Sequence, residues 1–256
     1  MYARKALVRR PSPRLAEGLL THIERSPVDA STALKQWEGY VRGLVDAGWE
    51  VTEVDAAPDC PDSVFVEDTV VVYGDLAVIS RPGAIERRPE TAGTEEALAG
   101  LGYRIVHIEA PGILDGGDVL KHGGTVYVGQ GGRTNPEGIR QLTGHLAPLG
   151  ATVVAVPLTK VLHLKSAVTA LPDGTVIGYQ PVVDDPSVYQ KFLAVPEEPG
   201  AHVVLLGDDR LLMSTRAPKT AELLAGMGYQ PIMVDIGEFE KLEGCVTCLS
   251  VRLRGI

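Results

Sequence analysis

The residues best suited to chemistry in this sequence lie far apart along it. Within the last fourteen residues the chain reads Glu243-Gly244-Cys245-Val246-Thr247-Cys248-Leu249-Ser250. A cysteine near its reference pKa of about 8.5 is only a few per cent thiolate at neutral pH, and a nearby cation increases that fraction. His163, in Leu162-His163-Leu164-Lys165, offers an imidazole for proton transfer. Two acidic clusters, Phe65-Val66-Glu67-Asp68 and Asp115-Gly116-Gly117-Asp118, offer carboxylates. Thiol, imidazole and carboxylate together spell covalent catalysis, with Asp115 orienting His163 and favouring its protonated form. The remaining carboxylates suit a planar cation, because guanidinium meets carboxylate through paired hydrogen bonds. Arg87 and Arg133, on loops after outer strands, suit a ligand's carboxylate for the same geometric reason, and Arg88 reads as solvated.

Each residue taken alone has a plainer reading: a surface turn for Asp115–Asp118, a structural histidine for His163, packing for a cysteine. Cys245 and Cys248 also form a C-x-x-C, which invites zinc or redox chemistry. Zinc requires further ligands, and the only other cysteine is Cys60, with no histidine near it in sequence. Val246, Thr247, Leu249 and Val251 favour a strand rather than the helix N-terminus where redox pairs sit. On a strand, residues three apart face opposite ways. Cys248 is therefore assigned to chemistry and Cys245 to packing.

Composition narrows the setting. The 256 residues carry a formal charge of −9, with 45% hydrophobic and 22% charged residues. That balance suits a packed globular chain and argues against nucleic acid or an anionic membrane as partner. Three cysteines make no disulfide framework. No apolar leader and no run of membrane-spanning length is present, so a cytoplasmic protein is expected, with monomer or homodimer left open.

An internal repeat brings the distant residues together. From residue 65 the chain follows a hairpin, helix, strand rhythm: strands 65–72 and 77–80, helix 89–100, strand 103–108. The second unit has strands 113–121 and 125–129, helix 136–149 and strand 152–156. The third has strands 163–171 and 175–179 and a shorter segment to Val195. The fourth has strands 202–206 and 210–214, helix 218–227 and strand 230–234. The starts at 65, 113, 163 and 202 are about 40–50 residues apart. A fifth copy is split between inner strand 245–253 and the N-terminal strand 5–10, helix 32–48 and strand 49–54. Ser31 or Thr32 is expected to cap that helix, with Leu34, Trp37, Val41, Leu44 and Val45 on one face and Gly48 ending it. Closure by both termini avoids exposed sheet edges. The expected fold is an α/β five-bladed ββαβ propeller in one domain, 1–256. An axis lined by the first strand of each unit gathers Glu67/Asp68, Asp115/Asp118, His163 and Cys248 at one mouth.

Several motifs match a known family. Asp62-Ser63-Val64-Phe65-Val66-Glu67-Asp68, Arg81-Pro82-Gly83-Ala84, Leu114-Asp115-Gly116-Gly117-Asp118, Arg133-Thr134-Asn135, Leu162-His163-Leu164-Lys165 and Thr247-Cys248 resemble dimethylarginine dimethylaminohydrolases. These are guanidine-modifying enzymes of the pentein fold. The resemblance covers essentially the whole chain, in order. It implies Cys248 as nucleophile, His163 as general acid/base and Asp115 as its orienting carboxylate. It further implies Glu67 and Asp68 on the guanidinium, Asp62 on the α-amino group, and Arg87 and Arg133 on the α-carboxylate. Phe65 falls in the same motif, Leu19 corresponds to a substrate-covering loop, and Leu242 to a backbone contact beside the nucleophile. The implied substrate is a methylated arginine, with no metal or organic cofactor. Arginine and agmatine deiminases share the fold and are the nearest alternative; a non-catalytic binding propeller is a further one.

Overall fold

The computed structural model describes residues 4–254. The chain starts with β1 (Arg4–Val8), α1 (Ala30–Asp46) and β2 (Glu50–Glu53). One unit follows as β3 (Val70–Tyr73), β4 (Leu76–Ile79), α2 (Thr91–Gly100) and β5 (Arg104–His107). The next is β6 (Val119–His122), β7 (Thr125–Gln130), α3 (Pro136–Leu146) and β8 (Thr152–Pro157). The third comprises β9 (Val168–Ala170), β10 (Val176–Gly178) and β11 (Phe192–Ala194), with short 3-10 turns in place of a helix. The fourth has β12 (Val204–Gly207), β13 (Arg210–Ser214), α4 (Pro218–Gly226) and β14 (Gln230–Val234). The short α5 (Gly237–Glu240) and β15 (Val251–Arg254) complete the chain.

The strands form five separate three-stranded sheets. In every sheet the first two strands are antiparallel, and the third returns parallel to the second. The fifth sheet has the order β15-β1-β2, so it draws its inner strand from the C-terminal end and its other two from the N-terminal end. All five first strands converge on one cavity of about 300 Å3, to which they contribute Val72, Lys121, Thr169, Leu205 and Arg252. The blades pack through five apolar clusters between sheets and helices.

Local chemistry moves some expected boundaries. Asp29, not Ser31 or Thr32, caps α1: its carboxylate accepts the Thr32 N–H at 2.6 Å. An aspartate two to three residues earlier satisfies a first free amide, and its charge suits the helix N-terminus. The buried face of α1 runs through Ala33, Trp37, Tyr40 and Leu44, whereas Val45 is exposed. Gly48 does end the helix, at φ 85°.

The inner strands differ more. Each of the first three is entered through a 3-10 turn, at Val66–Thr69, Gly116–Asp118 and Leu164–Ser166, where extended strand was expected. The acidic and histidine motifs thus occupy equivalent turns at one end of the inner strands. Turns there are dictated by close packing of neighbouring units. A Cβ on Gly116 would lie 2.1 Å from the Glu67 carbonyl oxygen, and one on Gly117 would lie 2.5 Å from the Asp68 carboxylate. Only glycine lets the second turn nest against the first.

Candidate active site

At that end of the inner strands, Asp62, Phe65, Asp68, Arg87, Arg133, His163 and Cys248 line one narrow pocket, together with Leu19 and Leu242. Asp68 comes from the turn before β3, His163 from the residue before the equivalent turn preceding β9, and Cys248 from the turn before β15. Asp115, fully buried, sits directly behind His163. Its Oδ2 lies 3.0 Å from His163 Nε2 and 3.5 Å from Arg133 Nη1, and its Oδ1 accepts the Gly83 N–H at 2.9 Å. Asp68 Oδ1 is 3.8 Å from His163 Nδ1 and accepts the Gly117 N–H at 2.9 Å. The histidine is thus held between carboxylates.

Burial alone would lower the His163 pKa, but Asp68, the hydrogen-bonded Asp115 and Asp118 overcome it and raise it to about 9. The imidazole is therefore cationic at neutral pH. Burial works against the Asp68 carboxylate, yet His163 and Arg87 hold it down to about 2. Asp118 lies deeper, where burial raises its pKa to about 6. It accepts the Thr134 hydroxyl at 2.6 Å and the Leu164 N–H at 2.9 Å, which fixes the backbone next to His163.

The two arginines have different duties. Arg87 donates to Asp68 at 2.6 Å, to both oxygens of Glu90 at 2.8–3.2 Å, and to the carbonyls of Phe65 and Asp62 at 3.2 and 3.3 Å. A guanidinium has five N–H donors, so little beyond one Nη1 hydrogen remains for a ligand. Arg133 instead has a buried Nη1 with no hydrogen-bond partner. Asp62 takes the Leu19 N–H at 3.1 and 3.2 Å on its two oxygens, tying the loop before α1 to the pocket.

Glu67 departs from its expected place beside Asp68. Consecutive residues of a turn diverge, and Glu67 faces the 300 Å3 cavity rather than this pocket. There its Oε1 meets Lys165 at 2.7 Å and also accepts from Arg252. These two cations, on neighbouring inner segments, draw it away from the pocket.

The strand argument for the cysteines fails on geometry. Residues 245–248 form a turn, closed by the Cys248 N–H donating to the Cys245 carbonyl at 3.1 Å. The two sulfurs consequently lie on the same side, 3.2 Å apart. Val246 and Thr247 suit a strand by propensity, but the nested packing at this end of the inner strands overrides it. The pair shares a proton. Contact with Cys248, in which either sulfur can donate, and the charge of His202 lower the Cys245 pKa against the effect of burial. That same contact, with burial and the charges of Glu67 and Asp68, pushes Cys248 up.

The lining also includes Leu162, Glu243 and Gly244, which the sequence did not single out. Glu243 sits at φ 60°, and its carboxylate accepts the Thr21 and His22 N–H groups at 2.5 and 3.0 Å. Its adjacency to Gly244 and the cysteine turn is the only sequence signal that could have pointed to it.

Five three-stranded sheets around a cysteine, a histidine and acidic residues define the class as a guanidine-modifying enzyme of the pentein fold. A dimethylarginine dimethylaminohydrolase of Streptomyces coelicolor is 68% identical over 254 residues, covering 99% of this chain and 98% of that protein. One of Pseudomonas aeruginosa is 36% identical over 251 residues, covering 96% of this chain and 98% of its own. The structure of the P. aeruginosa enzyme as a cysteine-to-serine variant with citrulline superposes with a TM-score of 0.91 at 34% identity, covering 99% of this chain and all of that one. The N-terminal domain of the cyanobacterial arginine dihydrolase ArgZ shares the fold, with a TM-score of 0.85 at 22% identity. No protein-family model matches the chain. The chain belongs to the dimethylarginine dimethylaminohydrolase family. Among the described residues no helix is long and apolar enough to cross a membrane.

Proposed function

We propose that this chain hydrolyses Nω-methylated arginine, either asymmetric dimethylarginine or monomethylarginine, to citrulline and dimethylamine or methylamine. The observation that carries this reading is the meeting of Cys248, His163 and Asp68, from three different repeats, in one pocket beside a buried Arg133 nitrogen that makes no hydrogen bond. Asp68 takes the substrate guanidinium, Arg133 its α-carboxylate and Asp62 its α-amino group. Arg87 holds Asp68 in place more than it holds substrate.

The Cys245 contact, burial and the charges of Glu67 and Asp68 all raise the Cys248 thiol, and a bound guanidinium cation offsets the two carboxylates, so binding favours the Cys248 thiolate. The thiolate adds to the guanidinium carbon. His163, cationic and anchored by Asp115, protonates the methylated nitrogen, and the C–N bond breaks to release the amine. The resulting S-alkylthiouronium stays on Cys248. Neutral His163 then takes a proton from water, the hydroxide adds to the same carbon, and the C–S bond breaks to give citrulline and the free thiolate. The proton left on the new oxygen passes to solvent, and His163 ends cationic, as it began.

Colorimetric citrulline formation tests the assignment with asymmetric dimethylarginine, monomethylarginine, arginine and agmatine in parallel. Methylated arginine is expected to give the highest kcat/KM, and Cys248→Ser to abolish turnover while Cys60→Ser retains it. Agmatine lacks the carboxylate, so it leaves that Arg133 nitrogen without a hydrogen bond, at a cost of about 1–3 kcal/mol or roughly tenfold to over a hundredfold in specificity. Equal specificity constants for agmatine and the methylated arginines would put the agmatine-deiminase reading ahead.

A further inference from the structure

We propose that Cys245 and Cys248 form a reversible disulfide under peroxide, and that this bond takes the Cys248 nucleophile out of the reaction. The reaction cycle leaves Cys245 unused, yet its sulfur is 3.2 Å from that of Cys248 and must move about 1.2 Å to reach the disulfide length of about 2.05 Å. The turn holds the pair in place through the Cys248 N–H bond to the Cys245 carbonyl. The positions of the two sulfurs differ. Both belong to the same apolar cluster, but only Cys248 lines the pocket; Cys245 has Thr247 Oγ1 at 3.2 Å as its other neighbour. A small oxidant entering the pocket therefore meets Cys248 first, with a second sulfur already in position beside it.

The shared proton makes one sulfur of the pair anionic at neutral pH, and movement across 3.2 Å passes that charge to Cys248. The Cys248 thiolate attacks peroxide, takes one oxygen and releases hydroxide, which leaves as water after protonation. The resulting sulfenic acid is attacked by Cys245, the S–O bond breaks, and a second water leaves as the S–S bond forms. Two thiols and one peroxide thus give one disulfide and two waters. Without a resolving thiol, a sulfenic acid proceeds to the irreversible sulfinic acid. Cys245 thereby protects the nucleophile. Cys60 is the contrast: burial raises its pKa, and its sulfur has only the Glu86 carbonyl at 4.0 Å.

The block on turnover rests on the proposed role of Cys248, whereas the cross-link itself does not. Hydrogen peroxide is therefore added to the full chain, free thiols are capped with iodoacetamide, and the tryptic peptide 242–252, which holds both cysteines, is weighed. The expected peptide is unlabelled and two hydrogens lighter, with citrulline formation lost. Dithiothreitol restores both the mass and nearly all of the activity. Cys245→Ser, with Cys245→Ala as a second variant should the first not fold, is expected to lose its activity to peroxide beyond rescue by dithiothreitol. Cys60→Ser behaves as the parent. A parent peptide carrying sulfinic acid on Cys248 and no cross-link overturns the proposal, as does equal rescue of parent and Cys245 variants. A lighter peptide with undiminished activity overturns the block, and the nucleophile assignment with it.

Discussion

Replacing Asp115 with asparagine isolates the contribution of one charge. The carboxylate accepts from two donors, Gly83 N–H at 2.9 Å and His163 Nε2 at 3.0 Å, and stands in ion-pair range of Arg133 Nη1 at 3.5 Å. The isosteric amide keeps one acceptor and presents N–H groups at the other position. If its oxygen stays with Gly83, its nitrogen faces two cationic donors in a site with no exposure to solvent. The imidazolium then loses both a charge partner and a hydrogen bond. Losing one such bond in the transition state costs about 2.7–4 kcal/mol, or roughly a hundredfold to a thousandfold in kcat. KM should change less than kcat, because Asp115 hydrogen-bonds His163 and bears on substrate binding only through Arg133 at 3.5 Å. Citrulline formation at saturating asymmetric dimethylarginine reads the rate. A pH series reads His163, whose alkaline limb near 9 in the parent should move down in the variant. A rate within about threefold of the parent and an unmoved alkaline limb would refute the reasoning.

The arginines should separate cleanly. Arg133→Gln is expected to raise KM for methylated arginine more than it lowers kcat, as steady-state kinetics will report. Arg87→Gln strands the buried Asp68 and Glu90 carboxylates, and breaking such a buried pair costs about 3–5 kcal/mol, read by urea unfolding. Gly116→Ala forces a methyl to within 2.1 Å of the Glu67 carbonyl oxygen, so thermal or urea melts should show a loss of at least about 1–3 kcal/mol. His163 binds its proton more tightly folded than unfolded, so its stabilisation is complete below about 6.5 and is lost as pH rises through about 9. The size is about 3 kcal/mol, and His163→Gln should flatten that part of the stability–pH curve.

Much of this protein is local information repeated. Hairpin turns, helix periodicity and the spacing of four similar starts are short-range properties, so the five sheets and the splitting of the fifth between both chain ends were legible from sequence. So was the gathering of Cys248, His163, Asp68 and Asp115, because equivalent positions in a circular repeat come together whatever their distance along the chain. Tertiary packing decided what the repeat could not. Blades nested at one end of the inner strands turn expected strand into 3-10 turns, with Gly116 under the Glu67 carbonyl. On a turn, neighbours part company: Asp68 faces the pocket and Glu67 faces Lys165 and Arg252. Residues three apart can equally come together, as the sulfurs of Cys245 and Cys248 do. Whether a charged side chain is free for a ligand is likewise settled by its partners, which leave Arg133 open and Arg87 occupied. Side-chain direction and hydrogen-bond saturation depend on atoms brought in from distant segments, and those exist only in the folded chain.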